Sequence, residues 1–187
     1  MNAEPVIREA TSADLQSLAD LKVQWASLTY FPATEERAEF AQALSEWIDT
    51  MGDSLVCRVA EVDGALVGMA WMVIFERVPD IHNRKRATGD IQSVFVASEF
   101  RGRGIGLALV RAVCATADIL GVPRVMVSAN ERAAALYSRA GFTPSPILVE
   151  RRRSGSNEPI LNHPAGEDPA GEIVKTGESA AVLRENL

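Results

Sequence analysis

Seventeen consecutive residues, Asp90 to Gly106, constrain this chain more than any others. An apolar run, Ile91 to Val96, reads as a strand. Arg101-Gly102-Arg103-Gly104-Ile105-Gly106 follows, with glycines at alternate positions, and an amphipathic helix over Ile105–Leu120 is ended by Gly121. Glycine lets main-chain N–H groups approach an anion closely. A helix N-terminus adds unsatisfied donors and a partial positive charge. Strand, turn and helix together predict a phosphate or pyrophosphate cradle, with Arg101 and Arg103 adding charged contacts. No Lys-Ser or Lys-Thr follows the glycines, so the turn is not a P-loop. Counting from Gly104 and Gly106, the third position of a dinucleotide fingerprint falls on Leu109, which fits NAD poorly.

Around this segment the periodicities predict an α+β, mixed α/β domain with a central mixed sheet flanked by helices. Val6–Glu9 reads as a strand. Thr11 and Asp14 form a capping pair for a helix reaching about Leu28, broken by Tyr30-Phe31-Pro32. Thr34 caps a second helix ending at Gly52. Ser54–Val62 and Ala65–Val78 are strands joined by the hairpin signal Asp63-Gly64, with a bulge expected at Gly68. Pro79–Gly89 reads as a polar loop carrying His82, Arg84, Lys85 and Arg86. Asp90–Val96 is the next strand, Arg124–Ala129 another, Glu131–Ala140 a helix and Ile147–Arg152 a last strand.

The chain has 187 residues, 47% of them hydrophobic and 24% charged, which predicts one folded domain over residues 1–153. Of the net charge of −6, −4 lies in the last 34 residues, 154–187, a Pro- and Gly-containing acidic tail expected to be flexible or to dock on a partner subunit. The acidic balance argues against nucleic acid as a partner. The longest apolar stretch, Ala65–Phe75, is shorter than the roughly 20 residues a helix needs to span a bilayer, so no membrane role is expected. The N-terminus lacks a secretion signal, and Cys57 and Cys114 read as buried reduced thiols, which predicts a cytoplasmic protein. The two histidines, His82 and His163, have no ligand-spaced neighbours, so no metal is expected.

Arg101-Gly102-Arg103-Gly104-Ile105-Gly106 resembles the signature of the GNAT superfamily of acyl-CoA-dependent N-acetyltransferases. Downstream, Asn130, Ala133, Leu136-Tyr137 and Gly141-Phe142 are similar to the same family's second motif. Ser98 departs from the proline common there. The resemblance implies acetyl-CoA as cosubstrate and a small-molecule or peptide amine as acceptor, with no metal. It implies that Val94 and Val96 pair with the pantetheine arm, that Phe95 or Val96 supplies an N–H to the developing oxyanion, and that Arg101, Gly102, Arg103, Gly104, Ile105 and Gly106 hold the pyrophosphate. Asn130 is either a further cofactor contact or the N-cap of the helix after it. Asp90, eleven positions ahead of Arg101, corresponds to the family's general base, with Glu61 the weaker alternative. Tyr137 corresponds to the general acid. Trp25, Tyr30 and Phe31 are expected either to wall the acceptor pocket or to be ordinary packing. The cationic loop His82–Arg86 could meet an acidic substrate or the 3′-phosphate of CoA. A homodimer is one expected assembly, since dimers are common in the family. The competing reading is a non-catalytic acyl-CoA-binding sensor.

Overall fold

The structure, a computed structural model, describes residues 4–26 and 30–149. The tail expected from Ser154 lies outside them. In chain order the elements are β1 (Val6–Glu9), α1 (Leu15–Ala26), α2 (Thr34–Met51), β2 (Leu55–Val62), β3 (Ala65–Arg77), β4 (Arg86–Val96), α3 (Ile105–Ile119), β5 (Val125–Val127) and α4 (Glu131–Arg139). They form one mixed five-stranded sheet in the order β1-β2-β3-β4-β5. The first four strands are antiparallel, and β5 runs parallel to β4 after the α3 crossover.

Local chemistry explains the joints. Asp63 (φ 50°) and Gly64 (φ 78°) take successive left-handed conformations, the geometry a two-residue hairpin between right-twisted strands requires. In the β2–β3 ladder the register shifts between Ala60 and Glu61, so Val67 is the extra residue, beside the expected Gly68. At the entry to α1 the Thr11 N–H and hydroxyl both donate to Asp14 Oδ2, at 2.7 and 3.0 Å. Arg8 grips both oxygens of that carboxylate, at 2.7 and 2.8 Å, and the Glu61 carboxylate at 2.8 Å. The Arg8 hydrogen bonds hold the Asp14 carboxyl well below the usual carboxylate range.

Two apolar layers sandwich the sheet. On one face Leu109, Val110, Val113 and Ala117 of α3 pack on Ala60, Ala70, Met72 and Ile91, joined by Tyr137 of α4. On the other, Leu18 and Leu21 of α1 and Ala41 and Leu44 of α2 pack on Val59, Met69, Trp71 and Phe95. Cys57 and Cys114 are free, half-buried thiols that belong to opposite layers.

Three expected boundaries are corrected. The loop expected over Pro79–Gly89 is strand from Arg86 onward, because Arg77 pairs with Arg86 and Phe75 with Thr88 and the hairpin ladder runs on to its tip. Thr34 is the first residue of α2 rather than its cap; Ala33, in extended conformation, holds the cap position. The last strand expected from Ile147 does not form over Ile147–Val149, whose side chains are exposed and which pair with no strand among the described residues. β-propensity alone supplies no partner. The rest of that segment, from residue 150, lies outside the described residues.

Candidate active site

The site begins where β4 and β5 part. They pair at only three positions, Gly89 with Val125, Asp90 with Met126 and Ile91 with Val127. β5 ends there, while β4 continues to Val96, bonded among the described residues only to β3. The Ala97 N–H donates to Val67 O on the β3 side at 2.9 Å. By strand alternation the main chain of Phe95 also faces β3, and that of Val94 and Val96 faces the open edge. Val96 O confirms the direction by accepting from Arg101 Nε at 2.9 Å on that side.

The open edge leads straight into the glycine turn. Gly102 and Gly104 are left-handed, at φ 76° and 80°, and a Cβ at either would meet nothing within 4 Å. Gly104 is the N-cap of α3, so no side chain caps the helix, and its first turn carries no acid. The N–H groups of Ile105, Gly106 and Leu107 are those an α-helix leaves unpaired. Arg101 stands over the Phe95 ring at 5.7 Å and Arg103 over the Phe100 ring at 5.1 Å, both exposed beside the turn. Gly106 has a different duty. A Cβ there would come within 3.0 Å of Leu136 Cδ1, so the missing side chain lets α4 approach α3.

Asp90 lies between Gly89 and Ile91, which face the α3 layer, so its carboxylate points to the α1/α2 side. It is half-buried, and its one side-chain hydrogen bond among the described residues comes from Gln92, whose Nε2 lies 3.5 Å from Oδ2. Glu61 is two strands away and already accepts from Arg8. Tyr137 approaches from the opposite face, buried in the α3 layer with its ring edge-on to Phe142 at 5.5 Å. Burial pushes its phenol up to about 12, so it stays protonated throughout the neutral range. Asn130 caps α4, its Oδ1 accepting from the Ala133 N–H at 3.0 Å, which leaves its NH2 as the group free to reach a cofactor.

Of the three aromatics expected near the acceptor, Trp25 packs into the α1/α2 layer. Tyr30 and Phe31 are exposed, with the Tyr30 hydroxyl donating to Glu36. A residue with no expected role lies on the same face of the sheet. Lys22 reaches over β4, its ammonium 3.1 Å from Ser93 Oγ and 4.3 Å from the Trp25 ring centroid. Burial lowers its pKa. Its position in the apolar stripe Leu18-Leu21-Lys22-Trp25 was the available signal, since a cation there must reach into the layer or bend out of it.

The model of the acetyltransferase (GNAT) family matches residues 21–142, and the chain belongs to that family. A mycothiol acetyltransferase of Pseudarthrobacter chlorophenolicus is 33% identical over 111 residues, covering 57% of this chain and 32% of that protein. The glucosamine 6-phosphate N-acetyltransferase of Trypanosoma brucei brucei is 32% identical over 79 residues, 42% of this chain and 52% of that one. The chain thus spans about a third to a half of these relatives. A predicted acetyltransferase of Clostridium acetobutylicum, solved with acetyl-CoA, superposes with a TM-score of 0.63 at 18% identity, covering 80% of this chain and 96% of that one.

Proposed function

We propose that the chain transfers an acetyl group from acetyl-CoA to an amine. The observation that carries this reading is the continuity of one surface. The unpaired edge of β4 at Val94 and Val96 runs directly into a helix N-terminus that no side chain caps. A pantetheine arm has amides that can pair with such an edge as an added strand. A pyrophosphate suits the N–H groups of Gly104 to Leu107, with Arg101 and Arg103 as flanking cations. Gly102 and Gly104, with empty space where their side chains would stand, leave the room a phosphate needs.

When bound, acetyl-CoA supplies a thioester carbonyl as the electrophile. The chain's own groups do the rest. Asp90, from the α1/α2 face, takes the proton from the acceptor ammonium, directly or through a water, because an amine of pKa near 10.4 is not nucleophilic while protonated. The nitrogen then bonds to the acyl carbon and the C–S bond breaks. The Val96 N–H, facing the open edge, donates to the negative charge that develops on the acyl oxygen. Tyr137, from the opposite face, gives its proton to the departing sulfur, and the second proton that the acylated nitrogen sheds returns through water to the tyrosinate. Trp25 and Lys22 of α1 border the acceptor side.

Release of free thiol from acetyl-CoA, followed with a panel of amino acids, amino sugars, polyamines and peptides, tests the reading. Turnover with at least one amine is expected. CoA binding without thiol release for any acceptor would make the chain a sensor instead.

A further inference from the structure

Past Asp90, towards the start of β4, the sheet carries a feature that the transfer chemistry does not use. A hollow of about 200 Å³ is lined by Arg77, Asn83, Arg86, Ala87, Thr88, Pro123 and Arg124. Three arginines from three segments share it, and no acid among the described residues lines it. Three arginines elsewhere hold carboxylates. Arg8 holds Asp14 and Glu61, Arg37 holds Asp20, and Arg58 holds Glu9. Among the described residues the Arg77 and Arg124 side chains have no hydrogen-bond or carboxylate partner, and the Arg86 side chain donates only to the carbonyl of Val78, at 3.0 Å. Three like charges brought together without a counter-ion repel one another, an arrangement that a bound anion would reverse.

A second, independent sign comes from Thr88. It lines the same hollow, is 2% exposed, and its hydroxyl makes no hydrogen bond among the described residues. A buried hydroxyl left without a partner is uncommon and marks a place where a polar group from elsewhere is expected.

The hollow is in line with the proposed chemistry. Arg86, Thr88 and Asp90 alternate along β4 with no bulge between them, so all three side chains share the α1/α2 face. Arg77 pairs with Arg86 across the hairpin and joins that face. Arg86 and Asp90 are four residues apart, about 13 Å along the strand at the usual rise. Thr88, on the near side of the hollow, is two residues or about 7 Å from Asp90 along the strand, a gap that one sugar or amino-acid molecule spans. The glycine turn is at the other end of β4, about 33 Å from Arg86 by the same rise, too far for these arginines to serve its phosphates.

We propose that this hollow binds the anionic group, a phosphate or a carboxylate, of the acceptor whose amine meets Asp90. The proposal rests on the acetyl-transfer reading and adds the substrate class: an amine that carries a negative charge at its far end.

The test has two arms on the full chain. In the first, inorganic phosphate is titrated into the protein by calorimetry, and into Arg124→Gln and Thr88→Val. Arg124 is exposed and can be replaced without touching the core; Thr88→Val keeps the shape and removes only the hydroxyl. Saturable binding is expected for the wild type, weakened about 10- to 100-fold in Arg124→Gln, as loss of one charged hydrogen-bonding partner predicts, and less in Thr88→Val. In the second, kcat/KM is compared for matched acceptors, glucosamine 6-phosphate against glucosamine and an amino acid against its amide. The anionic member should be preferred, the phosphate pair and the carboxylate pair showing which anion fits, and Arg124→Gln should collapse that preference while CoA affinity stays constant. Transfer without preference for the anionic member, or phosphate binding that Arg124→Gln leaves intact, overturns this inference alone. Phosphate binding with no transfer to any amine overturns the acetyl-transfer reading, and with it the hollow's role in holding an acceptor.

Discussion

At its C-terminal end β4 offers main-chain groups: an unpaired edge at Val94 and Val96, then the first turn of α3 behind Gly104. At its N-terminal end the same strand is surrounded by side chains, with Arg77, Arg86 and Arg124 around the hollow. In the proposed function the two ends recognise by different means. Main-chain donors bind a phosphate or an amide whatever side chains surround them, which suits a carrier of constant structure. Side-chain charges can be exchanged one at a time without disturbing the ladder, which suits the partner that sets specificity. Asp90 stands where the two regimes meet.

Substitutions can break this contrast. The largest effect is expected from Gly104→Glu. A side chain at φ 80° is strained, and a carboxylate in the cradle replaces attraction with repulsion, so CoA affinity should fall about a thousandfold or more while the fold is retained. Gly104→Ala adds strain but no charge and should lose far less; equal losses for the two would mean that the turn shapes the backbone and does not hold an anion. Next comes Asp90→Asn. The carboxylate's one hydrogen bond among the described residues is a 3.5 Å contact from Gln92, so thermal stability should barely change while turnover drops about 10²-fold or more. Unaltered turnover would move the base role to another group.

Tyr137→Phe should cost less, about tenfold in turnover with CoA affinity unchanged, because a thiolate of pKa near 8.5 departs without much help. The same variant carries a pH signature. The folded phenol is raised to about 12 from an ordinary 10.0, so the contribution of Tyr137 to stability is full below pH 10 and is lost as pH rises towards 12. The Phe variant should lose less stability than the wild type over that interval, and matching alkaline unfolding curves would place the hydroxyl in a more solvated setting. The smallest effect, about 1 kcal/mol of stability in urea unfolding, is expected from Asn130→Ala, which removes the cap of α4. A far larger loss of CoA affinity than of stability in that variant would show the Asn130 amide reaching the cofactor as well.

The two ends also differ in how far they could be read from residues alone. The glycine turn is contiguous, so spacing carries it, and Asp90 through Gly106 announces strand, cradle and helix in one reading. The hollow is assembled from positions 77, 86 and 124, which have no common spacing and come together only once β3, β4 and β5 align. Arg86 itself was obscured, because Arg84-Lys85-Arg86 reads as a solvated loop until its pairing with Arg77 extends the hairpin. Lys22 was hidden in plain helical periodicity, one cation in an apolar stripe. Ile147-Leu148-Val149 shows the opposite failure: strong β-formers that pair with nothing among the described residues.

The most direct test of the central claim is amide chemical-shift mapping by NMR as CoA is titrated into the labelled full chain. Saturable shifts are expected at Val94, Val96 and Gly104 to Leu107, with β1 and the buried stretch of β2 unmoved. Shifts confined to other elements, or none with millimolar CoA, would contradict a main-chain cradle at this edge and turn.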